Sequence, residues 1–315
     1  MAEENVEKIK YTFLLPAYKE SFLSEALNSL KRQSYGHFKV VVSDDCSPED
    51  LKSTFDFVVG SDSRFVYRRN EKNIGSRSLV AHWNLLVDLC DTEYLVMASD
   101  DDVYDIDFLS EIDSLVRKYP KVNVLRAKAR RLENDVVVLE DGNIPEYLSL
   151  EGFLPYFGGG RMVECLANYV FKTSSIKEIG GFPDFPKAGY SDAAVAMALA
   201  KNGLVTTKDV LFSFRISSDN LSSVNGYNKY AMDGIKACVL FSDWYIINME
   251  PLIGQAVNNN EITQAHKKHV VEVAQYFLCH LPLLSAIKYY LMLRIRGYMN
   301  VKNSLTAIKN WYKIR

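Results

Sequence analysis

Apolar residues come in short, separated blocks along the first hundred positions. YTFLL (11–15) is the first and is stopped by Pro16. Leu23, Ala26, Leu27 and Leu30 then share one helical face around residues 24–33. FKVVVS (38–43) is a second, β-branched block that ends at Asp44 and Asp45. RFVYR (64–68) is a third and leads into Asn73-Ile74-Gly75. Residues 78–89 read as a helix, and YLVMA (94–98) as a fourth strand. Strands alternating with helices predict an α/β fold, with a mostly parallel sheet and helices on both of its faces.

That fold gives two acidic clusters a place. Ligands of open parallel sheets bind at the carboxyl ends of the strands. Asp44-Asp45 and Asp100-Asp101-Asp102 both stand at such ends. Adjacent carboxylates repel, and each raises the cost of ionising its neighbour. A divalent cation reverses that balance, and oxygen-only ligands favour Mg²⁺ or Mn²⁺, which also bridge phosphate oxygens. The structural alternative is a solvated turn whose aspartates cap the helix before Phe108.

These segments resemble, over residues 10–225, the family 2 glycosyltransferases of the GT-A fold. FLLPAYKE resembles the opening strand and loop of that family, which implies that Pro16, Tyr18 and Glu20 flank the nucleotide. VVVSDDCS resembles the second motif, in which Asp45 would receive the N–H of the base; the family usually has glycine where this chain has Cys46. RNEKNIG resembles the loop beside base and ribose, with Asn73 and Gly75 in the matching positions. SDDD is a variant of the metal motif and implies Asp100 at the ribose, Asp101 on the metal and Asp102 as a second metal ligand. FKTSSIKEIGGFPDF resembles the segment before the catalytic aspartate, and GYSDAAVAMALAKNG supplies that residue as Asp192. Arg215, in FRISSDNLSS, resembles a basic residue near the diphosphate. A helix cap for Asp192 and a plain ion pair for Arg215 are the structural alternatives.

The resemblance implies a nucleotide-diphosphate sugar donor, UDP-sugar being the commoner, and a glycan or lipid-linked hydroxyl acceptor in cell-surface polysaccharide or glycolipid synthesis. Mg²⁺ or Mn²⁺ suits this chemistry because it neutralises charge on the diphosphate leaving group. An ionised aspartate on the opposite face of the sugar can take the acceptor proton. One base and in-line attack invert the anomeric centre. No QxxRW segment is present, so one sugar per encounter is expected. A sugar-phosphate nucleotidyltransferase would use the same sheet and carboxylates, but PAYKESF lacks the glycines of a phosphate loop. A receiver-like phospho-signalling module would be about half this length.

Composition narrows the rest. The chain has 315 residues, 48% hydrophobic and 24% charged, with a net charge of −2. That supports a large core and argues against disorder and nucleic-acid binding. The five cysteines are scattered, which fits a reducing compartment. The polar MAEENVEKIK start is unlike a signal peptide, and the longest uncharged window, 273–287, is 15 residues long and contains Pro282. A cytoplasmic protein is expected, with a GT-A domain over 1–225 (nucleotide half 10–105, acceptor half 106–225) and a helical extension over 226–315. Residues 273–315 hold seven Lys or Arg and no Asp or Glu, leaving −9 on the preceding residues. Such basic, aromatic-rich helices predict peripheral docking on the inner membrane face, with packing on the acidic catalytic domain or a homodimer contact as the alternatives. His266, His269 and His280 are expected on a solvated helical face, Gly158-Gly159-Gly160 as a hinge, and His82 and Trp83 in the core.

Overall fold

The computed structural model describes residues 9–158, 162–217, 220, 229–253 and 259–300. The first four strands, β1 (Tyr11–Ala17), β2 (Phe38–Asp44), β3 (Phe65–Arg69) and β4 (Tyr94–Met97), run parallel. They are joined by α1 (Leu23–Lys31), α2 (Leu51–Val59) and α3 (Leu79–Leu89). Asp50 and Ser78 cap α2 and α3 by accepting from Ser53 N at 3.1 Å and Ala81 N at 2.9 Å. After β4 come β5 (Val103–Tyr104), α4 (Phe108–Lys118), the hairpin β6 (Val124–Glu133) and β7 (Val136–Glu140), β8 (Tyr147–Leu148) and α5 (Leu150–Gly158). Then follow β9 (Tyr169–Lys172), α6 (Thr173–Glu178), α7 (Ser191–Leu199) and β10 (Leu204–Ile216).

The sheet order is β3-β2-β1-β4-β9-β6-β10-β5, with β7 on β6 and β8 on β10. β9 runs antiparallel between β4 and β6, while β6 and β10 are parallel to each other. Successive residues of β1 enter different cores. Phe13 and Leu15 join the cluster under α1, α2 and α4, and Leu14 joins the cluster under α3 and α5–α7. Burial on both faces explains why the strands read as apolar blocks with no alternation.

Three long helices follow, α8 (Ala231–Asn248), α9 (Asn259–Cys279) and α10 (Leu283–Ile295), with a single helical turn at Glu250–Ile253 between the first two. Ala237, Phe241 and Tyr245 of α8 pack into the α3-side core, and Ile235 and Cys238 pack against Val270, Phe277 and Leu293 of α9 and α10. A Cβ at Gly234 would lie 2.3 Å from the Phe277 ring, so glycine permits the close approach of α8 and α9. No described helix is long and apolar enough to cross a membrane.

The histidines of α9 correct the expected solvated face. His266 is buried, stacks on Tyr245 with ring centroids 3.5 Å apart, and meets the Tyr298 hydroxyl at 3.1 Å. Burial pushes its pKa down to about 3, and burial also lowers that of His269. Ile262, His266, Val270 and Ala274 fall at every fourth position, one inward stripe. His280 stands at the chain's exit from α9, with Nδ1 2.8 Å from the Tyr276 carbonyl. His82 and Trp83 are buried as expected. Gly159, Gly160 and the expected boundary near residue 225 lie outside the described residues.

Candidate active site

The last β1–β4 pair is Leu14–Met97, whereas β1–β2 pairing continues to Ala17–Asp44. Pro16 therefore lies beyond the β4 ladder, where its missing N–H breaks no bond to that strand. The chain leaves the sheet there, and Asp45 and the Asp100–Asp102 cluster emerge along the same carboxyl edge. An open cavity of about 980 Å³ beside Lys118, Tyr147 and Gly203 lies at the opposite end, where β10 begins.

Asp45 is the hub of the first half. Its Oδ1 accepts from Asn70 Nδ2 at 2.8 Å and Ile74 N at 2.9 Å, and its Oδ2 accepts from Gly75 N at 2.7 Å. Burial opposes the charge, but these donors outweigh it and hold the carboxyl below the usual range. His82 backs the arrangement with Nε2 3.0 Å from Ser43 Oγ and 3.3 Å from Asn70 Nδ2, and burial keeps it towards its neutral form. Asp44 faces the other way and is held by Ser47 N at 2.8 Å, the Tyr67 hydroxyl at 2.6 Å and Arg69. Cys46 has φ +56°, a left-handed conformation that favours glycine. This is a physical reason for the glycine usual at that position.

The second cluster is tied to its surroundings residue by residue. Asp100 Oδ2 accepts the backbone N–H of Tyr18 at 2.8 Å and of Lys19 at 2.9 Å, clamping the loop after β1. Burial, then the adjacent Asp101, raises its pKa against the pull of Lys19 and those two amides. Asp101 accepts from Ser99 Oγ and faces the Lys19 ammonium at 3.4 Å. Asp102 is buried, accepts from Arg215 N at 2.9 Å, and is raised well above the carboxylate range by burial and by Asp101. Arg215 meets the Asp101 carbonyl through Nε at 3.2 Å and pairs with Glu25 and Asp135, each at 2.5 Å, over the face of Phe22. Its guanidinium is thus engaged by carboxylates of the chain itself.

Asp192 lies in the first turn of α7, and its Oδ1 accepts from Ala193 N at 2.8 Å. The N-cap position belongs to Tyr190. Burial raises the Asp192 pKa, opposed by those local amides. The backbone just before it is strained: Lys187, Ala188 and Tyr190 have φ of +54°, +57° and +69°. Tyr190 is held there by stacking on Phe241 at 4.6 Å. The Cys165 thiol brings the two halves together. It lies 3.8 Å from Asp102 Oδ2, and its pKa is raised by burial, then by Asp102, with Asp192 and Asp101 adding to the effect. Asp102 thus touches the thiol, and Asp101 and Asp192 act on it through their charge.

The remaining expected residues occupy the rim. The Tyr18 side chain is exposed. Glu20 Oε1 accepts from Thr54 at 2.9 Å, and Asn73 Oδ1 caps Ser76 N at 2.7 Å. Sequence reasoning missed Lys19, Asn70, Glu164 and Cys165. Glu164 accepts from the Tyr169 hydroxyl, and its burial, opposed by Arg126, raises its pKa. Only the order of the motifs could have pointed to that segment. Among the described residues, no group of three or more His, Cys, Asp or Glu side chains is set to hold a metal.

The fold is of the GT-A type, an open α/β sheet flanked by helices and followed by a helical C-terminal part. Crystal structures of S. aureus TarS 1–349 superpose on 97% of this chain and 92% of theirs at TM-score 0.66 and 14% identity. The same TarS portion in complex with UDP-GlcNAc gives TM-score 0.59, covering 96% and 89% at 14% identity. The mannosyltransferase PcManGT from Pyrobaculum calidifontis, in complex with GDP-Man and Mn²⁺, gives 0.55, covering 96% and 80% at 14% identity. No curated protein sequence matches. Residues 12–163, from β1 to just beyond α5, match the family model of glycosyl transferase family 2.

Proposed function

We propose that the protein is an inverting, non-processive transferase that moves a sugar from a nucleotide-diphosphate donor, UDP-sugar foremost, to an acceptor hydroxyl. The observation that carries this reading is the Asp100–Asp102 cluster at the carboxyl end of β4, with Asp102 against the Cys165 thiol and the charge of Asp192 also felt there. It sets a candidate proton acceptor beside the edge where a diphosphate would lie. In this reading residues 10–105 hold the nucleotide and residues 106–225 the acceptor. Asp45, Asn73 and Gly75 frame the base, Pro16, Tyr18 and Glu20 line its entrance, and Asp100 meets the ribose. Asp192 accepts the proton of the attacking hydroxyl, and its position near strained backbone fits a functional role. Arg215 orients Asp102 through its amide and would reach a diphosphate oxygen only by exchanging one carboxylate partner.

Asp101, with Asp102, would hold Mg²⁺ or Mn²⁺. All the donors are oxygen, and such ions are commonly held by one or two carboxylates plus substrate phosphates. When bound, the ion neutralises charge on the diphosphate leaving group. Lys19, 3.4 Å from Asp101, already supplies a cation at the same carboxylate. The test is a thermal-shift panel of nucleoside diphosphates and nucleotide sugars with and without Mn²⁺. Ligands of the native state raise the melting temperature by linkage. A shift by one base family, larger for its sugar conjugates, is expected; no shift by any member contradicts the reading.

A further inference from the structure

α10 is apolar on both of its sides. Tyr289 and Leu293 are buried against α8 and α9. Facing away from them, Leu284, Ile287, Leu291 and Ile295 form a stripe at intervals of three and four residues, with Leu284 82% and Ile295 85% exposed. Lys288 and Arg294 lie on this outer side, and α10 contains no carboxylate. Arg296 grips Asp243 of α8 through two bonds of 2.5 and 2.7 Å. One turn along α8 from Asp243, Ile247 is 71% exposed. Isolated exposed leucines are ordinary in proteins; an aligned stripe of them marks an interaction surface.

We propose that this stripe docks the protein peripherally on an anionic lipid surface. Charge favours that occupant. The helix carries Lys288 and Arg294 beside the stripe and no anion, and the sequence of residues 273–315 holds seven Lys or Arg and no Asp or Glu, so an anionic bilayer attracts this segment. Size argues against a second copy of the chain. Thirteen residues make a helix about 20 Å long, and a stripe about 10 Å wide covers only about 200 Å² per copy. A stable interface buries roughly 800 Å² per partner. A lipid surface sets no such threshold, since aliphatic side chains enter the headgroup boundary singly while cations pair with phosphates.

The test is flotation of the full chain with vesicles of neutral phosphatidylcholine and vesicles containing phosphatidylglycerol, at low and high salt. Binding is expected to the anionic vesicles and to weaken with salt. Lys288→Gln and Arg294→Gln should each lower partitioning about fivefold. Leu284→Ser with Ile295→Ser should lower it by about tenfold or more while leaving the melting temperature unchanged, because both residues are outside the core. Three results would overturn the proposal. One is no flotation at low salt. Another is equal flotation of the serine variant, which would assign binding to charge elsewhere. The third is a dimer in sedimentation that the serine variant dissociates, which would give the stripe to a second copy.

Discussion

The backbone N–H of Gly75 donates to Asp45 Oδ2 at 2.7 Å, and a Cβ at position 75 would stand 2.9 Å from that same oxygen. The carboxylate cannot retreat freely, because Asn70 and Ile74 hold its other oxygen. Gly75→Ala should therefore displace the loop proposed to frame the base. Calorimetry is expected to show nucleoside diphosphate affinity about tenfold weaker, equivalent to about 1.4 kcal/mol. Unchanged affinity would separate this loop from the nucleotide.

Asp192→Asn should lower kcat by about 10²-fold or more, the scale of general-base catalysis. Donor affinity should hold, since the proposed nucleotide contacts lie in the other half of the site. Burial raises the Asp192 pKa, and a base works ionised. Turnover should thus fall as pH drops through a value above the ordinary carboxylate pKa of about 3.9, and the variant should lack that acid limb. Near-normal turnover by the asparagine variant would remove Asp192 from the chemistry.

His266 makes stability depend on pH. Its folded pKa is about 3, below its unfolded value of about 6.5. Between those values the unfolded chain binds the extra proton, so stability is full above about pH 6.5 and falls as pH decreases towards 3. From pH 7 to 5 this one group should cost about 2 kcal/mol. Denaturant melts at the two pH values should show a loss smaller by about that amount in His266→Phe. Equal losses in both proteins would mean that His266 titrates normally.

The sheet was legible because β1, β2 and β4 are short, largely apolar blocks that end at a proline or at aspartates, while β3, partly exposed and ending in two arginines, was marked by the Asn73-Ile74-Gly75 loop after it. The partners of Asp45 were not. Asn70, Ile74, Gly75 and His82 come from 25 or more residues away, and only the fold brings them to β2. The ion pairs of Arg215 were equally unreadable, since Glu25 lies on α1 and Asp135 in the turn between β6 and β7. His266 was hidden by its neighbours. Lys267 and Lys268 make the stretch look solvated, while the fourfold spacing from Ile262 to Ala274 carries the inward face. Burial of imidazole in the neutral form, stacked on Tyr245, costs less than its polar reputation suggests.

The central claim is that the β4-end carboxylates bind a nucleotide diphosphate together with a divalent ion. Calorimetric titration of UDP into the full chain, in Mn²⁺ and in EDTA, tests it most directly, with Asp101→Asn as the companion. The account predicts UDP affinity at least about tenfold higher in Mn²⁺ than in EDTA, and loss of that difference in a variant that melts normally. Equal UDP affinity in Mn²⁺ and EDTA would contradict it.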